Sequence, residues 1–146
     1  MLAGEVFVAA SPWVSGVGDP VALTKQSLEG LVRACYQRGP FLRAISDAAT
    51  TDERFEQDWS GFLSGFDDAA ASRIEGDQQQ GLIASFDPRP VAFALNRLDA
   101  YTIIEAFGKH PRNEPEPVQQ ALVRIWVSTL YGSEWVEQGS SNLLRK

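Results

Sequence analysis

The stretch "VAFALNRLDAYTIIEAF", Val91 to Phe107, decides how this chain folds. It runs from just after a proline to just before a glycine and is mostly apolar. Projected at about 100° per residue, Val91, Leu95, Leu98, Thr102 and Ala106 share one side, and Phe93, Ala100, Ile104 and Phe107 fall roughly on the other. A helix that is apolar on two sides needs more than one neighbour to cover it. Asn96 and Asp99 lie on the margin between those sides, one helical turn apart and therefore adjacent on the surface. An unpaired buried carboxylate is costly, so such a group finds a partner, stays near solvent or takes up a proton. Two readings stand. In one, Asn96 and Asp99 cap loops or pair with a basic residue such as Arg97 or Arg124; in the other, they are the few polar groups of an apolar ligand cavity.

Outward from this stretch, the same punctuation recurs. Asp87 is placed to cap the helix, Pro88 to open it and Gly108 to stop it, while "EPEPVQQALVRIWVSTLYG" has Pro115 and Pro117 near its start and Gly132 at its end. In this last helix Val118, Leu122, Ile125, Trp126, Thr129 and Leu130 span a broad apolar arc, with Gln120, Arg124 and Ser128 as a narrow polar strip. Either both helices are central in one core, or their second apolar sides are covered by another subunit. Upstream, "TTDERFEQDWSGFLSGFDDAAASRIEG" opens on a capping box of Thr50 and Glu53. Its Phe55, Trp59, Phe62, Leu63, Phe66, Ala70 and Ile74 keep the three-and-four spacing of one apolar, unusually aromatic face. "DPVALTKQSLEGLVRACYQRG" repeats the pattern, "PFLRAISDAA" predicts a short helix, and "MLAGEVFVAASPW" one more, closed by the turn material "SGVGDP". "GLIASF" is short and isolated, which leaves a sheet without a second member. The expectation is an all-α fold of roughly five to six helices.

At 146 residues the chain is sized for one domain able to build a core without disulfides or metals. A hydrophobic share of 44% and a charged share of 22% fit an ordinary globular protein. No apolar run reaches the roughly 18 to 20 residues of a membrane-spanning helix, and Glu5 stands where a secretory signal wants positive charge, so the expected location is cytoplasmic. A net charge of −6 and the lack of a Lys/Arg cluster work against direct nucleic-acid contact. Cys35, the single cysteine, reads as a small buried apolar residue, and it excludes both an internal disulfide and a cysteine-built zinc site. The single histidine, His110, sits in the Pro-rich loop "GKHPRNEPEP" without partners for base, triad or metal work. There is no nucleotide-binding glycine loop, no metal cluster and no catalytic pair among Asp67, Asp68 and Asp99. Neither enzymatic activity nor a cofactor is expected.

The order "DP…L…L.GLV..Y…GPFLRAI", "T.DE.F…W..F", "FDPRPVAFALN" and "VQQALVRIWVSTLYG" resembles the carboxyl-terminal regulatory domain of TetR-family transcriptional repressors, especially the actinobacterial EthR-like group. The closing "L…IWV…YG" and the Trp59/Phe66 spacing carry most of the likeness. It covers about Glu5 to Gly132, giving a domain at 1–132 and a tail, "SEWVEQGSSNLLRK", at 133–146.

The resemblance implies that the helices at 88–107 and 115–131 pair with their copies in a homodimer, as a four-helix bundle. It further implies a cavity for a small, largely apolar ligand. By position, Trp59, Leu63 and Phe66 match its wall, Asn96 and Asp99 its two polar side chains, and Trp126 closes one end. Leu31, Cys35, Phe62 and Ile103 are expected nearby. Asp99 departs from the group, which has an amide there, and suits a ligand with an amine or hydroxyl, or else a salt bridge. Family members begin with a helix-turn-helix unit, whereas Met1 here falls inside what would be the connecting helix. The chain is therefore expected to be a fragment of a regulator or a free-standing sensing and dimerising domain, able to form a heterodimer with a full-length relative. The competing reading is a helical interaction protein with a filled core, in which Trp59, Phe66 and Trp126 pack directly on one another.

Overall fold

Aspartate followed by proline starts two of the long helices. Asp19 accepts a hydrogen bond from the Val21 backbone N–H at 3.1 Å, and Asp87 from Arg89 at 3.3 Å, with Pro20 and Pro88 as first helical residues. The ring fixes φ where no amide donor is needed, and the carboxylate satisfies one that is. Each such cap is worth about 1 kcal/mol.

The computed structural model describes residues 2–132, so the expected tail at 133–146 lies outside the described residues. Within them are seven helices: α1 (Leu2–Ala9), α2 (Pro12–Ser15), α3 (Pro20–Tyr36), α4 (Gly39–Ala48), α5 (Glu53–Gln79), α6 (Pro88–Phe107) and α7 (Pro115–Leu130). No strand occurs among them, and the "GLIASF" segment forms turns that bury Ile83. The first segment breaks in two where the sequence predicted one helix. Pro12 cannot continue α1, and α2 restarts on it as a single turn. The capping box at Thr50 and Glu53 is also corrected. Asp52 caps α5 by accepting from the Arg54 N–H at 2.9 Å, while the Thr50 hydroxyl donates to the Asp47 carbonyl at 2.7 Å and closes the end of α4.

The "VAFALNRLDAYTIIEAF" helix, α6, is the hub: it packs against α3, α4, α5 and α7. Ala92, Leu95, Ile103, Ile104, Ala106 and Phe107 are buried, and Phe107, fully enclosed, meets Tyr36 edge-on at 5.1 Å. Two glycines set how closely elements approach. A Cβ on Gly30 would strike the Ala9 backbone at the end of α1, and one on Gly39 the Phe107 carbonyl at the end of α6. The second apolar side of α6 is closed at Ile104 and Phe107, and what stays uncovered on α6 and α7 is a set of separate apolar groups. Phe93 is 52% exposed and Tyr101 50%, and Ile125 of α7 is 39% exposed.

Candidate ligand-binding site

α5 brings its aromatic face to the centre of the molecule because Trp59, Phe62, Leu63 and Phe66 recur at helical spacing along a helix that packs on α6. Trp59 stacks on Phe62 with centroids 5.7 Å apart, and Phe62 meets Phe66 edge-on at 5.2 Å. This aromatic row stops short of closing the core. Between it, α3 and α6 lies a cavity of about 50 Å³, with Val6 of α1 and Leu42 of α4 completing the wall.

The cavity is lined by Leu31, Cys35, Trp59, Phe62, Leu63, Phe66, Asn96, Asp99 and Ile103, all of which the sequence reading assembled from three separate helices. Trp126 is elsewhere. It lines an adjoining cavity of about 40 Å³ with Trp13, Thr24, Ser27 and Ala70, and its ring meets Trp13 edge-on at 5.4 Å. Trp59, Phe66 and Trp126 thus do not stack on one another. Leu31, Phe66, Asn96 and Asp99 line both cavities and form the partition between them. Each space alone takes a few waters or a short alkyl group.

The two polar groups of α6 have different fates. Asn96 Nδ2 donates to Asp67 Oδ1 at 3.0 Å, and Arg97 Nη1 donates to both Asp67 oxygens at 2.7 and 2.8 Å. Arg97, a candidate partner for Asp99, is thereby committed to α5, and its guanidinium lies 4.0 Å over the Phe93 ring. Arg124, the other candidate, is exposed on α7. Asp99 instead accepts a 2.7 Å bond from the Trp126 indole N–H. Burial pushes its carboxyl up to about 8, against the opposing pull of that bond. Burial likewise pushes the Cys35 thiol up to about 12, which makes it an inert wall group.

A second polar cluster, beyond the reach of sequence spacing, holds the far end together. Arg73 donates to Asp77 at 3.1 Å and to the carbonyls of Trp13 and Gly16 at 2.6 and 2.8 Å. The Tyr131 hydroxyl donates to Asp77 at 2.8 Å and accepts from the Trp13 indole at 2.7 Å. These bonds tie α2, α5 and the end of α7 together behind Trp13, which lines the smaller cavity. Val6, Leu42, Ala100 and Ile104 are lining residues the sequence did not single out. Ala100 and Ile104 follow from Asn96 and Ile103 by helical periodicity, but Val6 and Leu42 come from short helices whose placement only the fold decides. Among the described residues no group of His, Cys, Asp or Glu is arranged to hold a metal ion, and no helix is long and apolar enough to cross a membrane.

Residues 24–132 match the family described as transcriptional regulator EthR, C-terminal domain. The HTH-type transcriptional regulator EthR of Mycolicibacterium smegmatis (strain ATCC 700084 / mc(2)155) is 25% identical over 117 residues, covering 79% of this chain and 54% of that protein. The chain therefore spans about half the length of the curated relative it matches. With α4 to α7 and most of α3 inside the matched region, the chain belongs to the EthR C-terminal domain family of transcriptional regulators.

Proposed function

We propose that this is a ligand-sensing and dimerising domain that takes a small, largely apolar molecule into the space between α3, α5 and α6. One observation carries the reading: an apolar cavity whose polar groups are confined to Asn96 and Asp99, in a domain of a regulator family. The regulatory unit is residues 1–132, with 133–146 as its tail, in keeping with a family match that ends at residue 132. The uncovered apolar groups of α6 and α7, Phe93, Tyr101 and Ile125, pair with the same helices of a second copy. A ligand alters the output of such a dimer only if it prefers one arrangement of the two subunits over the other. No catalytic role is assigned to any residue, and the domain works in the cytoplasm.

Titration with n-octanol, followed by tryptophan fluorescence and by sedimentation, tests both parts. A dimer whose fluorescence saturates is expected, and Cys35→Leu, which fills the larger cavity with added methyl groups, weakens binding more than about tenfold with the fold intact. A monomer, or octanol binding indifferent to Cys35→Leu, overturns the reading. The second reading, an interaction module that pairs with a full-length relative without a ligand, is favoured by the small size of each cavity. It predicts a dimer that octanol leaves unchanged.

A further inference from the structure

Three aspartates are buried among the described residues: Asp67, Asp77 and Asp99. Two of them have an arginine. Asp67 is held by Arg97 and Asp77 by Arg73. Asp99 has no cation among the described residues, only the Trp126 indole N–H on Oδ1. Its Oδ2 makes no hydrogen bond there, yet among side-chain polar atoms wholly sealed from solvent the one lacking a partner is Arg112 Nε. Oδ2 therefore borders open space, and the space Asp99 borders is the pair of cavities it helps divide.

We propose that Asp99 is the counter-ion for a ligand consisting of an apolar body and a basic amine, whose nitrogen sits at the partition between the two cavities. The proposal rests on the ligand-sensing reading and names the chemical class of the ligand. The ammonium supplies the cation that Arg97 and Arg73 supply to the other two buried aspartates. The Asn96 side-chain oxygen, unoccupied by any hydrogen bond among the described residues, adds a second acceptor. The rest of the wall, aromatic on α5 and aliphatic on α3 and α6, suits the apolar body and offers Trp59 and Phe66 rings to a nearby cation. The net charge of −6 favours approach of a cation over an anion.

The proton balance gives the inference a pH signature. From α1, α2, α4, α5 and α7 the two cavities receive no titratable side chain apart from the remote Asp77–Arg73–Tyr131 cluster behind Trp13, and α3 contributes only the inert Cys35 thiol. Asp67 faces α6 but is already matched by Arg97. Asp99 is thus the group whose proton counts. In the empty cavity its carboxyl keeps the proton up to about pH 8. When an ammonium enters, the carboxyl O–H bond breaks, one proton passes to solvent and the carboxylate remains beside the cation. Affinity for an amine therefore rises about tenfold per pH unit between pH 6 and 7, and flattens above 8.

Fluorescence titration of the whole chain with n-octylamine and n-octanol between pH 6 and 8.5 tests this. At pH 8 octylamine is expected to bind more than about tenfold tighter than octanol, with a pH slope that octanol lacks. Asp99→Asn, which preserves an acceptor for Trp126, is expected to remove both the preference and the slope. Asp99→Leu does the same to octylamine and serves as a second variant should the amide perturb the partition. Octylamine binding that is independent of pH, or equal in Asp99→Asn and the parent protein, overturns the inference while octanol binding keeps the cavity reading intact. If neither alkyl probe binds, both fall together.

Discussion

Asp67 and Asp99 are alike in residue type and burial, yet one is part of the frame and the other, which borders both cavities, part of the site. Asp67 reaches from α5 to α6 and receives Arg97 and Asn96, so its charge is matched and its oxygens are occupied. Asp99 reaches from α6 to α7, receives a single neutral donor and is pushed toward the protonated form. A buried carboxylate with a guanidinium fixes the register of two helices. One without a cation keeps a proton, or waits for a positive charge from elsewhere.

The largest effect follows from breaking the matched pair. Arg97→Ala strands the Asp67 carboxylate and is expected to cost about 3 kcal/mol or more in urea unfolding. Adding Asp67→Asn removes the stranded charge and should recover over half of that loss. A loss below about 1 kcal/mol for Arg97→Ala alone would put Asp67 on the same footing as Asp99.

The second effect has the opposite pH sense from an ordinary paired carboxylate. The folded protein holds the Asp99 proton up to about pH 8, whereas the unfolded chain releases it near 3.8. Between those values the native state binds more protons, so this group's contribution is complete below about pH 4 and is lost as pH rises toward 8. Stability from this group therefore falls steadily with pH across that window. Asp99→Asn is expected to remove this slope, so the variant gains on the parent protein from pH 5 to 8. Parallel pH profiles of the two would place Asp99 with the paired carboxylates.

Much of this was legible in the sequence because helices announce themselves. Asp-Pro starts, glycine stops and the Trp59-to-Ile74 periodicity gave α3, α5, α6 and α7, while the cavity residues came from the family resemblance carried onto those helices. What spacing cannot carry is which helix lies opposite. Arg97 was a candidate partner for Asp99, but successive residues on a helix diverge by about 100°, and Arg97 points to α5 while Asp99 points to α7. Trp126, expected to close one end of the cavity, lines the adjoining one, where its ring turns toward Trp13 on a single-turn helix that the sequence had merged into α1. Val6 and Leu42 were missed for the same reason: short helices take their position from what they pack on.

A smaller effect sharpens the Asp99 side. Trp126→Phe keeps the ring and deletes the N–H, and is expected to cost about 1 kcal/mol at pH 6. Because that bond is what holds the Asp99 pKa down against burial, its loss also moves the carboxyl's titration to higher pH. Infrared detection of the protonated carboxyl across pH 7 to 9, in Trp126→Phe and in the parent, would register the shift; an unchanged titration would mean the indole does not govern Asp99.

The smallest effect is next door in the sequence. Asp68 follows Asp67 and also reaches an arginine of α6, with Arg89 at 2.6 Å, a distance as short as the buried pair's. The difference is solvent: the Asp68 and Arg89 side chains are 65% and 59% exposed, against 7% and 23% for Asp67 and Arg97. Water screens the outer pair, and ordering two exposed side chains offsets most of what attraction remains. Arg89→Ala is accordingly expected to change stability by less than about 0.5 kcal/mol, and less still in high salt. A loss comparable to that of Arg97→Ala would mean that contact distance, not burial, ranks the bridges between α5 and α6, and the contrast between Asp67 and Asp99 would then need another cause.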